Sequence, residues 1–470
     1  MTAEATGRHT TALAEYIAGA GTSALPDDLT EFMKLVVLDT LGCGILGSAA
    51  PWSSVIANTL RATEQPGPAS LWGSPDAFSA ANAAMFNGAA VHGYELDDVG
   101  PGSHYGSVTV PVALALAQDG APLSGTDLIK AIVTGVEVAA RVAEGTGRVP
   151  HETCGFHGPG LFGAFAAMAA ACRVLNLDAA QCGHAIGNVS QFTGGIMAMQ
   201  HGGMGKRLLA GKAAHSGTLA AQLAAHGFTN APTIFECGYG SFPSAFSGGR
   251  DSFDLDKMTD GLGTGYYAYK IRFKFFAARG PIHPSLEILQ ALARERTLRA
   301  EDIERIDIAL PDGSFKAVGF PYVPTSVTSA QMNLQFCVAT MLLEGDVFVE
   351  HFTEERISDA EVLDLISRIH VRHDPDLDAG VTTKPRDTIM TITLGTGETI
   401  TRRQDTYLVG LGEDPEITQR VSAKFRRTTE GKLTPAQQDR VIELCLRLDS
   451  LDDLTPLIDL IGGQPSSIDR

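Results

Sequence analysis

From Thr11 to about Tyr267, small and apolar side chains recur at helical spacing, and this limits the possible folds more than any other feature of the chain. Phe32, Leu35, Val36, Leu38 and Leu41 mark one such run, and the stretches Leu128 to Val142 and Leu161 to Leu175 mark two more. Within the last of these, Gly160, Gly163, Ala164, Ala167, Ala169, Ala170 and Ala171 offer almost no side-chain bulk. Small residues in that register let helix axes approach closely, as the centre of a large bundle requires. The expected product is a compact all-helical unit.

The pattern changes near Tyr269. Ile306, Ile308 and Leu310 alternate with Asp307 and Ala309, and Thr388 to Arg402 reads as strand, Gly-Thr-Gly turn, strand. Ser285 to Ala293 and Ala330 to Glu344 read as helices between them, so 269–406 is expected to be an α+β domain of the common size. Helical text returns afterwards in Pro415 to Arg426, in Thr434 to Leu446 with Thr434 as N-cap before Pro435, and in Leu451 to Ile461. The fold class is therefore mainly α, with a large helical domain built from both chain ends (1–268 and 407–470) and a smaller α+β unit inserted between them.

A net charge of −18 disfavours nucleic acid and anionic membrane as partners, because either would be repelled over much of the surface. If the ligand is itself a small anion, the cations that receive it must be gathered locally. Seven scattered cysteines without a C-x-x-C pair suggest neither a disulfide framework nor a structural zinc site. The polar start, Met1 to Thr10, lacks a signal pattern, and apolar runs break before membrane-spanning length, so the expected location is the cytoplasm.

Four stretches combine glycine, cations or histidine, and aromatic residues beyond what helix packing needs. The first, His92-Gly-Tyr-Glu95-Leu-Asp97-Asp98, precedes His104 and an apolar helix from Val108 to Ala117; its three carboxylates are costly to bury unless paired, and otherwise form a solvated helix end. The second, Gly155-Phe156-His157-Gly-Pro-Gly, sets a histidine near a helix N-terminus, where backbone N–H groups attract anions and imidazolium is disfavoured; the plain reading is a loop histidine. In the third, His201, Lys206 and Lys212 lie among Gly, Ala and Met. Lys206 suits a base or a carboxylate-binding point charge, while Lys212, out of phase with it, reads as a surface or helix-pairing lysine. The fourth, Lys274-Phe-Phe-Ala-Ala-Arg279-Gly-Pro-Ile-His283, crosses the expected domain boundary, where ligand clefts commonly form; a basic strand edge is the plain reading.

Rival chemistries find little support. Phosphate-loop, H-E-x-x-H and nucleophile-elbow patterns are missing, and Gly-Leu-Gly-Thr-Gly at 261–265 follows no credible strand. Asp97, Asp98 and His104 lack a second cluster at ligand spacing, so no metal is expected.

Taken in order, these stretches resemble the MmgE/PrpD family over nearly the whole chain. The family's His-Ala-Leu-Asp-Phe-Asp-Asp is matched by His92 to Asp98, its Gly-Phe-His by Gly155 to His157, and its Lys-Arg-Leu by Lys206-Arg207-Leu208. Its Lys-Pro-Tyr-Pro-Cys-Cys-Arg-x-x-His-Pro is matched by Lys274 to Pro284. The resemblance implies a lyase, a dehydratase or decarboxylase, that abstracts a proton next to a carboxylate of a citrate-like di- or tricarboxylate. An epimerase of an amino- or imino-dicarboxylate is the near alternative, and a non-catalytic polycarboxylate-binding protein the more distant one. It also implies a homodimer, no metal or other cofactor, an α+β lid and a pocket between the domains.

Carried over residue by residue, His104, His157, Lys206 and Lys274 would be catalytic, with Glu95, Asp97, His201, Arg279 and His283 binding substrate. Which histidine is the base stays open. The chain departs from the family where Glu95 replaces an aspartate, Val99 a threonine and Arg279 a cysteine or histidine, and where Phe275 to Ala278 replace Pro-Tyr-Pro-Cys. The added guanidinium suggests an extra or displaced substrate carboxylate, which a planar fork would bind.

Overall fold

The computed structural model describes residues 7–20, 24–378, 388–404 and 408–462, save the side chains of Gln200 and His201. It is mainly helical with small sheets. The helices that organise the molecule are Asp27–Ser48 (α1), Ala80–His92 (α2), Tyr105–Gln118 (α3), Gly125–Thr146 (α4), Gly163–Val174 (α5) and Gly205–Ala225 (α6). They are followed by His283–Glu295 (α7), Leu334–Glu344 (α8), Ile417–Thr428 (α9) and Pro435–Leu446 (α10).

The small-residue runs pack as their spacing implied. Helix α6 lies against α2 and α5, and α5 lies against α4. The approach is close enough that a Cβ built on Gly211 would stand 2.2 Å from the Met85 carbonyl oxygen of α2, so no larger residue fits there. The run expected as one helix from Leu161 is divided at Phe162, with a short helix Gly158–Leu161 before α5. Among the described residues no single helix is long and apolar enough to cross a membrane.

The α+β part contains a four-stranded sheet in the order β2-β1-β3-β4, formed by Ile303–Leu310 (β1), Ile369–His373 (β2), Thr388–Leu394 (β3) and Thr399–Gln404 (β4). Strands β1, β3 and β4 run antiparallel, with Ile306 opposite Ile392 and Ile308 opposite Met390. The alternation read in the sequence is that of a sheet with one buried face, covered by α7. Strand β2, parallel to β1, had no counterpart in the sequence reading: His370, Arg372 and His373 leave only Ile369 and Val371 to carry an apolar pattern. The Ala330 to Glu344 stretch is two helices, Val327–Gln331 and α8, separated at Asn333, whose side chain caps α8. The expected boundary between 406 and 407 lies outside the described residues.

The C-terminal helices return to the first. Thr434 forms a capping box with Gln437 at the start of α10, and both α9 and α10 pack on α1. On α9, Ile417, Val421, Lys424 and Phe425 share the buried face, so a lysine enters the core. The Lys424 ammonium lies 2.5 Å from Asp39 Oδ1 of α1 and donates to the Leu96 carbonyl oxygen at 2.6 Å. Removing one partner of a buried ion pair strands the other charge, at a cost of about 3–5 kcal/mol. Lys424→Met is accordingly expected to lower the thermal midpoint by several degrees, and adding Asp39→Asn should recover part of the loss, as read by calorimetry.

Candidate active site

The loop 93–104 follows α2 and carries most of the buried acids. Asp98 pins its end by accepting hydrogen bonds from the backbone N–H groups of Tyr105 (3.0 Å) and Gly106 (2.8 Å) at the start of α3. Gly106 has to lack a side chain here, because a Cβ would stand 2.1 Å from the Thr40 hydroxyl and 2.6 Å from Asp98 Oδ1. Val99 pairs with Arg272 through two backbone hydrogen bonds of 2.9 Å. That short pairing brings Lys274, two residues further along, beside Asp97.

Four distant segments therefore converge on one buried cluster. Glu95 accepts a hydrogen bond from Lys206, and its carboxylate lies 3.7 Å from Arg207 Nη1 and 3.9 Å from Lys274 Nζ. Asp97 Oδ1 lies 3.3 Å from Lys274 Nζ, while Oδ2 is 2.9 Å from His92 Nδ1 and 3.3 Å from His104 Nδ1. The ring of His92 meets His104 edge-on at 4.5 Å and lies 6.3 Å from His157. Lys206 and Arg207 come from the first turn of α6, and His157 stands at the N-cap of the short helix Gly158–Leu161.

Hydrogen-bond geometry places a proton on Nδ1 of two histidines. His104 Nδ1 faces the Asp98 carbonyl oxygen at 2.6 Å, and a carbonyl can only accept, so Nδ1 is a donor. His92 donates through Nδ1 to Asp97, leaving Nε2 to accept from Lys206 at 3.3 Å.

Burial sets the protonation states. It lowers His92 to about 4 and drops His157, which lies near the Lys206 ammonium, well below its ordinary value; both rings are neutral at pH 7. Burial also brings Lys206 down to about 8, against the pull of Glu95. For Glu95, burial raises the carboxyl, but Lys206, Lys274, His92 and Arg207 outweigh it and hold the group well below the usual range. Asp97 behaves alike under His104, His92 and Lys274, whereas burial beside Asp97 pushes Asp98 up to about 7.

His92, Asp97 and His104 bring three donor atoms within 4.8 Å of one another, the compactness of a metal-ligand set. These atoms are engaged with each other, and the Lys274 ammonium sits 3.3 Å from the same carboxylate. That surrounding charge makes the triplet a poor host for a divalent cation.

Two further expected residues engage backbone carbonyls. His283 is buried, donates through Nε2 to the Ala278 carbonyl at 3.2 Å, and is lowered to about 3 by burial and Lys274. Arg279 turns one Nη to the Ala317 carbonyl at 2.9 Å. The side chain of His201 lies outside the described residues. Lys212 donates to the Phe192 carbonyl at 2.7 Å, the helix-pairing role read for it. The glycine-rich 261–265 loop presents the carbonyls of Gly261 and Gly265 to the buried Arg141 guanidinium, the opposite polarity from an anion cradle.

Sequence reasoning passed over three participants. His92 was read only as part of the loop, Arg207 as a neighbour of Lys206, and Gln331 not at all. Gln331 accepts from Arg207 at 2.5 Å and donates to the carbonyls of Tyr94 and Ala277, both at 3.2 Å, joining the loop to the α+β part. A charge directly after Lys206 on an Ala- and Gly-rich helix was the available signal for Arg207. Gln331 gave none.

Comparison with known proteins shows which family the chain resembles along its length. Residues 11–254 match the MmgE/PrpD N-terminal domain and residues 276–448 the MmgE/PrpD C-terminal domain. Similar proteins include the cis-aconitate decarboxylase-like protein oryM of Aspergillus oryzae, 28% identical over 97% of this chain and 98% of its own length. Cis-aconitate decarboxylase of Aspergillus terreus is 28% identical over 96% of each chain, and that of Homo sapiens 28% identical over 97% of this chain and 94% of its own. With both domain models matched across most of its length, the chain belongs to the MmgE/PrpD family.

Proposed function

We propose that the chain is a cytosolic, homodimeric lyase that moves a proton next to a carboxylate of a citrate-like di- or tricarboxylate, with decarboxylation of a cis-aconitate-like acid as its first candidate reaction. The observation that carries this reading is the convergence of Lys206, Arg207 and Lys274 on buried Glu95, with the rings of His104 and His157 both neighbouring His92 beside it. The candidate substrate is chosen because the relatives named above are cis-aconitate decarboxylases. In this reading 269–406 is a lid inserted between the two parts of a helical domain, and the carboxylates bind beneath it.

The chemistry suits the groups. Loss of carbon dioxide breaks a C–C bond, its electron pair passes into the conjugated carboxylate, and a proton must then reach carbon. Charge that accumulates on the remaining carboxylate only in the transition state is stabilised by the buried ammonium and guanidinium groups, and this lowers the barrier. Lys206, titrating at about 8, is suited to proton transfer near neutral pH, and water restores the proton afterwards. His104, held through Nδ1, leaves Nε2 for the substrate, and neutral His157 hydrogen-bonds without adding charge. Arg279, His283 and His201 are assigned to substrate binding. No metal or organic cofactor is assigned to the reaction.

Nuclear magnetic resonance of cis-aconitate, citrate, methylcitrate and iminodisuccinate in deuterated water should show either carbon dioxide lost with one deuteron taken up at carbon, or water lost with one carbon-bound proton released to solvent. Label wash-in without either loss would instead make the protein an epimerase, and binding without exchange a non-catalytic receptor. If the Lys206 ammonium is the working form, kcat/KM is present below and lost above a pKa of about 8. Lys206→Arg, whose guanidinium stays protonated, should remove that alkaline limb if the ammonium acts as a charge alone, and abolish turnover if it passes the proton. Asp97→Asn removes the negative charge that His92, His104 and Lys274 share and should lower kcat about 100-fold or more, measured on the same substrate.

A further inference from the structure

Glu95 is an unusual resident of its site. Its backbone adopts φ 56°, a left-handed conformation that non-glycine side chains rarely take. Its side chain is buried against Lys206, Arg207 and Lys274, which are the cations the proposed reaction assigns to substrate. Yet the cluster is not saturated. Arg207 spends Nη2 on Thr328 and Gln331, while its buried Nη1 and Nε have no hydrogen-bond partner among the described residues; Nη1 points at the Glu95 carboxylate from 3.7 Å. His157 Nδ1 is likewise buried without a partner. Three cations face two carboxylates, Glu95 and Asp97, so one positive charge is left over.

We propose that Glu95 is a built-in occupant of the carboxylate receptor made by Lys206, Arg207 and Lys274, and that substrate enters by displacing it. This rests on the proposed polycarboxylate reaction and adds a rule of selection to it. A monocarboxylate that replaces Glu95 merely exchanges one carboxylate for another and gains little. A second carboxylate on the same molecule reaches the surplus charge and the unfilled Arg207 donors, so the receptor selects ligands with two or more anionic groups. Glu95 leaves Lys206 by side-chain rotation, and Lys274, already near its other oxygen, keeps it charged.

Binding to the full-length protein tests this by calorimetry, with unreactive tricarballylate and with inorganic phosphate as a probe that needs no carboxylate chemistry. Glu95→Gln should bind both at least about tenfold more tightly than wild type, a gain of one relieved charge competition. Its thermal midpoint should start lower and rise further with ligand, because three buried cations have lost their anion. Glu95→Asp keeps the charge and should behave like wild type, and Arg207→Gln in the Glu95→Gln background should erase the gain. Equal or weaker binding of both probes by Glu95→Gln, or binding by neither protein, overturns the proposal. Tighter phosphate without tighter tricarballylate supports displacement and overturns the polycarboxylate reading.

Discussion

Five charged side chains, Glu95, Asp97, Lys206, Arg207 and Lys274, are taken out of water together, and the rest of the site depends on their balancing one another. Any one of them alone in that interior would cost several kcal/mol. Each is tolerable because the others are present, so the loop after α2, the first turn of α6 and the segment after Arg272 must arrive in register. This requirement explains the close packing of α6 on α2. Gly211 allows the approach, and the approach lets an ammonium on one helix reach the acids that follow the other.

The same balance sets the protonation states that chemistry would use. Neutral His92 and His157 add no charge to a cluster already cationic by one, and the direction of their shifts follows from burial reinforced by Lys206. Lys206 is held near neutrality by two opposed effects, desolvation and Glu95. A site arranged in this way can move a proton and hold an anion with few side chains, because a single lysine is both charged enough to attract and weak enough to exchange.

Much of this was legible in the residues. Small side chains at helical spacing implied the bundle, the alternation of Ile306 and Ile308 implied a sheet, and glycine-histidine or lysine stretches implied the cluster. What escaped notice did so for physical reasons. Strand β2 is too polar at its exposed positions to show a period. His92 ends a helix of ordinary composition, and its role comes from the fold around Asp97. Gln331 acts through backbone carbonyls of Tyr94 and Ala277, which no sequence pattern marks. Lys424 was visible in principle as a lysine on the apolar face of α9, since its neighbours at three and four residues' distance are Val421 and Thr428.

Lys424 has a further meaning for how the molecule comes into being. It is made long after the residues it serves, for its ammonium supports the Leu96 carbonyl between Glu95 and Asp97 and neutralises Asp39. A nascent polypeptide that has emerged only as far as the sheet holds the acids of the site without this brace. Completion of the reactive centre thereby waits for the segment that carries α9, and a product cut before that segment remains an unfinished one.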